Sequence, residues 1–461
     1  MKPTNRSARP TVSLCMIVKN EEAYLEWCLK SVEDVVDEIV IVDTGSSDRT
    51  LEIARRFNAK IHHWRWADDF AAARNASLRH ATGEWILHLD ADERLLPESK
   101  AELLRCLKDP GVTCYSVLID SPAEQLKKGH ISRAHRLFRN LSGIRYSGRI
   151  HEQISPSVAK LKRKAEVSNI KFLHLGYAKN AEEMQQKSDR NFKLLKQQIT
   201  DEPNHAYWRY LMAQNLILSG NNQDALVELE TALKIGKLPA DIQCSIFNNL
   251  AEVHMRLGDY PLAVEFAEKA LAISKNQLTS YLLLNEIYGY LKDNLRQIDC
   301  LESAVQLIEK TALQPHEVAL DSYVDPAALY LNLGHRYLQQ KRTGDAAKSY
   351  QMALRFDAEN VSALRGLADS LIEQQELQQA AEILERLLAL VPDDRIALEK
   401  QGWIAIKQQQ FNLAITHYAE LLHRLPGDTN IQRRLAALYY KIGDVKKSKA
   451  CLLKSRAMSA Q

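Results

Sequence analysis

Long apolar runs are missing. Nowhere in the 461 residues does one approach the roughly 18–20 that a membrane-spanning helix needs, so the chain reads as soluble, with contact at a membrane surface left open. Paired cysteines are missing too. The seven thiols (Cys15, Cys28, Cys106, Cys114, Cys244, Cys300 and Cys451) are odd in number, scattered and never in CxxC spacing. That argues against a disulfide framework or a zinc site and for a reducing, cytoplasmic compartment. Charge is close to balanced: the formal net is +3, with no basic stripe interleaved with aromatics, so nothing points to nucleic acid. Residues 1–10 are polar and basic without the apolar segment of a signal peptide behind them, and are expected to form a disordered tail. The composition is otherwise ordinary for globular protein, at a length that suggests about two to four domains.

Most informative is the stretch Glu84-Trp-Ile-Leu-His-Leu-Asp-Ala-Asp-Glu93. A short apolar run ending in carboxylates, with Pro97 soon after, reads as a buried strand leaving the core. In an extended backbone side chains two apart share a face, so Asp90 and Asp92 are expected to point at one spot. Two carboxylates with no Lys or Arg between them repel unless a cation sits there, and hard oxygen ligands suit Mg²⁺ or Mn²⁺. A solvated acidic turn is the plain alternative.

The surrounding 90 or so residues alternate in kind. Strand patterns at Val12–Val18, Asp37–Val42 and Ala59–Trp64 are followed by helical patterns ending near Val32 and Phe57 and at Phe70–His80. Such alternation means βαβ units, a mostly parallel sheet and helices on both faces. Ligands bind such sheets beyond the carboxyl ends of the strands. Lys19, Asn20, Asp43, Asp90 and Asp92 all fall there. Asp43 could accept hydrogen bonds from a nucleobase N–H or ribose hydroxyls, or could simply form a turn. Asp48 reads as a helix cap or turn residue. The Gly45-Ser46-Ser47 turn is too short for a phosphate loop and lacks its Lys.

Several segments together, in order, closely resemble family 2 glycosyltransferases of the GT-A fold: Pro10 to Glu22, Ile39-Val-Ile-Val-Asp-Thr-Gly-Ser-Ser-Asp-Arg-Thr50, Asp69-Phe70 with Arg74-Asn75, and Thr82-Gly83-Glu84 leading into Leu89-Asp-Ala-Asp-Glu93. The resemblance covers about residues 10–200. It implies transfer of a hexose-type sugar from a nucleotide sugar, usually a UDP-sugar, with inversion at the anomeric carbon. By the same resemblance Asp43 and the Lys19–Glu21 loop, with Arg74, lie by the donor. Asp90 would contact ribose or metal, and Asp92 the cation bridging the diphosphate. A divalent cation stabilises leaving-group charge as a Lewis acid, and inversion needs one base behind the anomeric carbon.

After a helix at Pro97–Lys108 and a strand at Cys114–Asp120, the basic residues Arg133, His135, Arg136, Arg139, Arg145 and Arg149 come close together. They read as a solvated ribbon, or as contacts for the donor diphosphate or an anionic acceptor. Arg149-Ile-His151-Glu152 and Lys171-Phe-Leu-His174-Leu-Gly-Tyr177 follow and are similar to pairs in a subgroup of the family. A late histidine often completes the GT-A metal site, which makes His174 or His151 a candidate ligand. Glu152 is the preferred base, with Asp120 and Glu93 as rivals. Lys187, Arg190 and Asn191 fall on a helix at about 179–200 and read as anchors of the domain junction.

From about residue 204 no strand pattern remains. Small residues recur 34 apart at Gly334, Ala368, Gly402 and Ala436, with Ala346, Ala380, Ala414 and Ser448 twelve later. Tyr350, Leu384, Tyr418 and Leu452 keep the same period. Earlier units fit as well, with an interruption around Thr311–Pro326. Period 34 with small residues where two helices cross resembles tetratricopeptide repeats, about seven hairpins over residues 201–461. Such an array stacks into a concave surface for a protein or peptide, or serves as an extension or dimer platform. The late lysines, Lys441, Lys446, Lys447, Lys449 and Lys454, read as a solvated cap that could also touch anionic lipid.

Two functions are therefore expected to compete. One is an inverting, metal-assisted glycosyltransferase (residues 11–200) whose repeats recruit a protein, peptide, saccharide or lipid-linked acceptor. The other is an interaction scaffold carrying a degenerate transferase domain. The intact carboxylates count against the second. Homodimerisation stays open.

Overall fold

The computed structural model describes residues 9–121, 130–175, 181–313 and 324–459. They divide into two compact units, one running to Ile287, the other holding Tyr288–Glu309 and Val324 onward. Residues 1–8 of the expected tail, most of the interruption near residue 311, and Gly176 and Tyr177 of the late histidine motif lie outside the described residues.

The first unit opens as β1 (Val12–Val18), α1 (Leu25–Val32), β2 (Glu38–Asp43), α2 (Thr50–Arg56), β3 (Lys60–His63), α3 (Phe70–His80) and β4 (Trp85–His88). Near-continuous burial along β1, β2 and β4 fits strands covered on both faces, where apolar residues need not alternate. Strands β3, β2, β1 and β4 lie side by side, all parallel. The sheet then continues through β7 (His130–Arg139), β6 (Val112–Ser121), β8 (Lys164–His174) and β5 (Glu93–Leu95). Here β4–β7, β6–β7 and β5–β8 are antiparallel, so the eight-stranded sheet is mixed beyond its parallel first half. Helix α4 (Lys100–Cys106) and the short α5 (Ser155–Lys160) complete the domain.

The basic ribbon around Arg136 is strand β7, and neither it nor β8 announces itself in sequence. Both carry a polar or charged residue at most positions, because part of each strand faces water or the site rather than the core. The main core lies between β1, β4, β6 and β8 and helices α1 and α4, with Leu14, Leu29, Leu87, Leu103, Tyr115 and Phe172 fully buried.

After α6 (Ala181–Asp201), fourteen helices follow among the described residues, from α7 (Ala206–Leu218) to α20 (Val445–Ser459). Their sequence period has a physical cause in the second unit. The ring of Tyr350 is fully buried against Gly334 and Gly366, where any Cβ would overlap it, and Tyr418 lies against Gly402 in the same manner. Asn360, Asp394 and Asp428 cap the first helix of successive hairpins at the same spacing, accepting from the amides of Ala363 (3.0 Å), Ala397 (2.9 Å) and Asn430 (2.9 Å). Lys341, Gln375 and Gln409 hold the intervening turns at φ near +60°, where Gly443 takes the equivalent place.

Candidate active site

The acidic motif does not continue the strand. β4 ends at His88, and the Glu93 N–H bonds back to the Asp90 carbonyl at 3.0 Å, closing a turn before β5. Asp90 and Asp92 therefore meet different partners instead of sharing one strand face.

Asp90 lies between two guanidiniums. Its Oδ1 accepts from Arg74 Nη2 at 2.8 Å and its Oδ2 from Arg136 Nη2 at 2.9 Å. Arg74 is buried on α3 beside Ala71 and Ala73, and Arg136 reaches in from β7. Arg74 also bonds Glu152 through Nε, and Arg136 bonds Glu93 Oε1 at 2.7 Å. Behind them sits His88, touched by both arginines and 2.8 Å from the Tyr146 hydroxyl. Burial alone would raise the Asp90 carboxyl, but the two guanidiniums outweigh it and hold it well below the usual carboxylate range. Burial raises Glu93, with Arg136 opposing and Asp90 adding. Burial and the same two arginines keep His88 well below its ordinary value, as a neutral ring. For Asp90, then, the cations that balance it are side chains of the protein.

Asp92 is placed differently. Its Oδ2 lies 3.3 Å from His174 Nε2. The β5–β8 pairing sets Glu93 opposite His174, and the Leu175 N–H bonds the Asp92 carbonyl at 2.9 Å. Ser121 Oγ, 3.1 Å from His174 Nδ1, turns the ring so that Nε2 faces Asp92. Burial lowers His174, but the Asp92 bond and charge prevail and raise it.

Among the described residues no group of three or more His, Cys, Asp or Glu is placed to hold a metal ion. Mg²⁺ and Mn²⁺ ask for less, since they usually take one or two protein groups plus substrate phosphates. Neighbouring ligands on an octahedral ion with bonds of about 2.1 Å stand about 3 Å apart. The 3.3 Å between Asp92 Oδ2 and His174 Nε2 fits that requirement. Asp90, with a guanidinium on each oxygen, fits it less well.

Two clefts share a wall formed by Phe70, Arg74, Asp90, His174 and Arg190. The first, of about 600 Å³, takes in the Lys19-Asn20-Glu21 loop, Thr44, Trp66 and Asp92. Asn20 holds that loop at φ +57°, its Oδ1 accepting from the Ser47 N–H at 2.8 Å. The second, of about 520 Å³, takes in Glu93, Ser121, Arg133, Arg136, Tyr146 and Glu152.

Of the candidates from sequence, Lys19, Asn20, Glu21, Arg74, Asp90, Asp92, Glu93, His151, Glu152 and His174 thus line these clefts. Asp43 and Asp120 do not. Asp43 is buried, its Oδ1 accepting from the Ser46 N–H at 3.0 Å and its Oδ2 3.3 Å from His63 Nδ1. On β6 the flanking Ile119 and Ser121 face the second cleft, and strand alternation turns Asp120 the other way. Asp48 accepts from the Thr50 N–H at 3.0 Å, as a turn residue. Arg149 pairs with Asp201 at 2.8 Å, and Arg139 stacks on Trp85, away from the clefts. Arg190 stands on the shared wall with its guanidinium 5.3 Å from the Phe70 ring centre. Sequence reasoning passed over His88, Tyr146 and Ser121. Only His88 leaves a trace, as the polar interruption of an apolar strand.

Residues 13–164 match the model of glycosyl transferase family 2, and residues 244–276 and 331–395 match tetratricopeptide repeat models. A TPR repeat-containing protein of Synechococcus elongatus is 36% identical over 273 residues, 58% of this chain and 67% of that protein. Glycosyltransferase SunS of Bacillus phage SPbeta is 30% identical over 234 residues, 50% of this chain and 54% of SunS, so this chain spans about half of that relative's length. A crystal structure of MamA overlaps 40% of this chain and 92% of its own, at 18% identity and a TM-score of 0.34. The fold is an α/β domain followed by a helical repeat array. The chain belongs to the family 2 glycosyltransferases, with tetratricopeptide repeats fused behind the transferase domain.

Proposed function

We propose that the chain moves a hexose-type sugar from a nucleotide sugar, with UDP as the nucleotide, to a protein, peptide or saccharide nucleophile, inverting the anomeric centre. The observation that carries this reading is the Asp92–His174 pair on the rim where the two clefts adjoin. The donor lies in the first cleft, its nucleoside along the Lys19–Glu21 loop and its diphosphate toward Asp92, His174 and Arg190. A Mg²⁺ or Mn²⁺ ion held by Asp92 and His174 would supply Lewis-acid stabilisation of the departing diphosphate. The acceptor enters the second cleft, where Glu152 takes its proton. Arg74 bonds both Asp90 and Glu152 and so fixes the base relative to the acidic turn. Of the rival bases, Asp120 is off the cleft wall, and both Glu93 oxygens are bonded, to Arg136 and to the Asp90 N–H. The repeat array recruits the acceptor or a partner protein. The odd number of cysteines, seven with six of them buried, supports work in a reducing compartment.

The test measures thermal stability of the full chain against nucleoside diphosphates and UDP-sugars, with and without Mn²⁺, since a ligand bound only to the folded state raises its midpoint. A metal-dependent rise with one UDP-sugar is expected, and Glu152→Gln should keep that rise while losing transfer. No rise with any nucleotide would end the donor-site reading.

A further inference from the structure

The hairpin of α19 (Thr429–Lys441) and α20 carries a strongly basic, exposed surface. From Thr429 to Ser459 there are eight basic residues and one acidic residue, Asp444, while the whole chain nets only +3; everything else is net acidic. Asp444 is itself matched by Lys447 at 3.2 Å. Within α20, Ser448 and Ser455 are buried and Cys451 partly so. At 100° per residue this places Lys446, Lys449, Ala450 and Leu453 outermost, with Leu452 and Val445 along one flank. All six are exposed, Leu453 to 67%, as are Tyr440, to 70%, at the end of α19 and Ile442 just after it. Apolar tips and ammonium groups are therefore interleaved on one face.

Three occupants could cover such a face. A second copy of the same surface would set Lys446 and Lys449 against the same lysines, which repel. A nucleic-acid backbone would satisfy the charge but leave Leu453, Leu452 and Val445 without a partner. A bilayer with anionic headgroups meets both demands: the aliphatic tips enter the headgroup–acyl boundary while lysine stems reach back to the phosphates. Each Lys or Arg near such a surface adds binding that falls away within a Debye length. We propose that the α19–α20 hairpin is a docking surface for an anionic lipid bilayer. The assignment is independent of sugar transfer, because none of its residues belongs to the clefts described above.

The experiment is co-sedimentation of the full chain with phosphatidylcholine vesicles, with and without phosphatidylglycerol, across a salt series. Binding is expected only with phosphatidylglycerol and should weaken as salt rises. Lys446→Glu/Lys449→Glu should lower it at least roughly tenfold, and Leu453→Ser by a smaller factor. Circular dichroism melts check that both exposed-site variants stay folded. Equal binding to neutral vesicles, no binding to either, or unchanged binding by the variants would overturn the proposal. So would a wild-type dimer, seen by sedimentation, that Leu453→Ser splits, since the face would then belong to a second copy.

Discussion

Arg136 Nη2 bonds Asp90 Oδ2 at 2.9 Å inside the domain, and the same nitrogen holds Glu93 Oε1 at 2.7 Å. One guanidinium thus compensates two carboxylates, one of them almost fully buried. Removing a single partner from a buried ion pair is severe because the other charge is left without compensation. Arg136→Met should destabilise the fold by about 3–5 kcal/mol, read by urea unfolding of the full chain at neutral pH. Adding Glu93→Gln should return part of the loss. A loss below about 1 kcal/mol would mean that the pair is solvated and behaves as a surface salt bridge.

A second prediction separates Asp92 from Asp90. If Asp92 and His174 are the pair that holds the ion, Asp92→Ala should abolish sugar transfer and the Mn²⁺-dependent part of the donor-induced thermal shift. The melting midpoint of the ligand-free protein should stay near wild type, because Asp92 anchors no guanidinium. Ser121→Ala acts one bond further out, by freeing the His174 ring, and should weaken metal dependence by about 10–100-fold. Near-normal transfer by Asp92→Ala would remove the metal role.

Much of this architecture can be read directly from sequence, and the exceptions have physical causes. Helix α3 is legible to the residue because Asp69 caps it and its small residues repeat at helical spacing. The repeat period is legible because Tyr350 and Tyr418 demand small neighbours at fixed distance. The buried charge cluster is not legible. Arg74 and Arg136 stand 16 and 46 residues from Asp90, on a helix and on a strand whose pattern looks like a solvated ribbon. The Asp90–Glu93 turn also escapes, since the D-x-D spacing fits an extended chain equally well and only the backbone bond shows otherwise. The capping row Asn360, Asp394 and Asp428 was there to be found in the same 34-residue period.

Glu38 ties three strands together, and its pH dependence follows. Its carboxylate accepts from Ser13 on β1, from Lys60 on β3 and from the Thr82 N–H, at 2.8 Å, just before β4. Burial would raise it, but the bonds from Lys60, Ser13 and Thr82 pull it from 4.5 down to about 2. A depressed carboxyl stabilises the fold above its unfolded value, and the contribution fades as pH falls through the folded one. Glu38→Gln should therefore lose on the order of 1–2 kcal/mol at neutral pH, discounted because Lys60 is half exposed. That deficit should shrink as pH drops from about 4.5 toward about 2. A deficit that stays constant over this range would show that the carboxylate charge contributes nothing.

The repeat array offers the sharpest packing test. At Gly402 an added Cβ would sit 2.7 Å from Tyr418 Cε2, and at Gly334 the same distance from Tyr350 Cε1. The alternate units pair Ala368 with Leu384 in the corresponding positions, so the larger small residue goes with the smaller large one. Gly402→Ala should therefore lower the thermal midpoint: overpacking costs about 1–3 kcal/mol, partly offset by the roughly 1 kcal/mol that alanine gains over glycine within a helix. Tyr418→Leu alone opens a cavity and loses the 2.9 Å bond from Arg434 Nη1 to the tyrosine hydroxyl. The double variant recreates the pairing that the neighbouring unit already uses, so its loss should be smaller than the sum of the two single losses. Simple additivity would instead mean that the two positions do not sense each other, and the alternation of Gly–Tyr with Ala–Leu along the array would then need another cause.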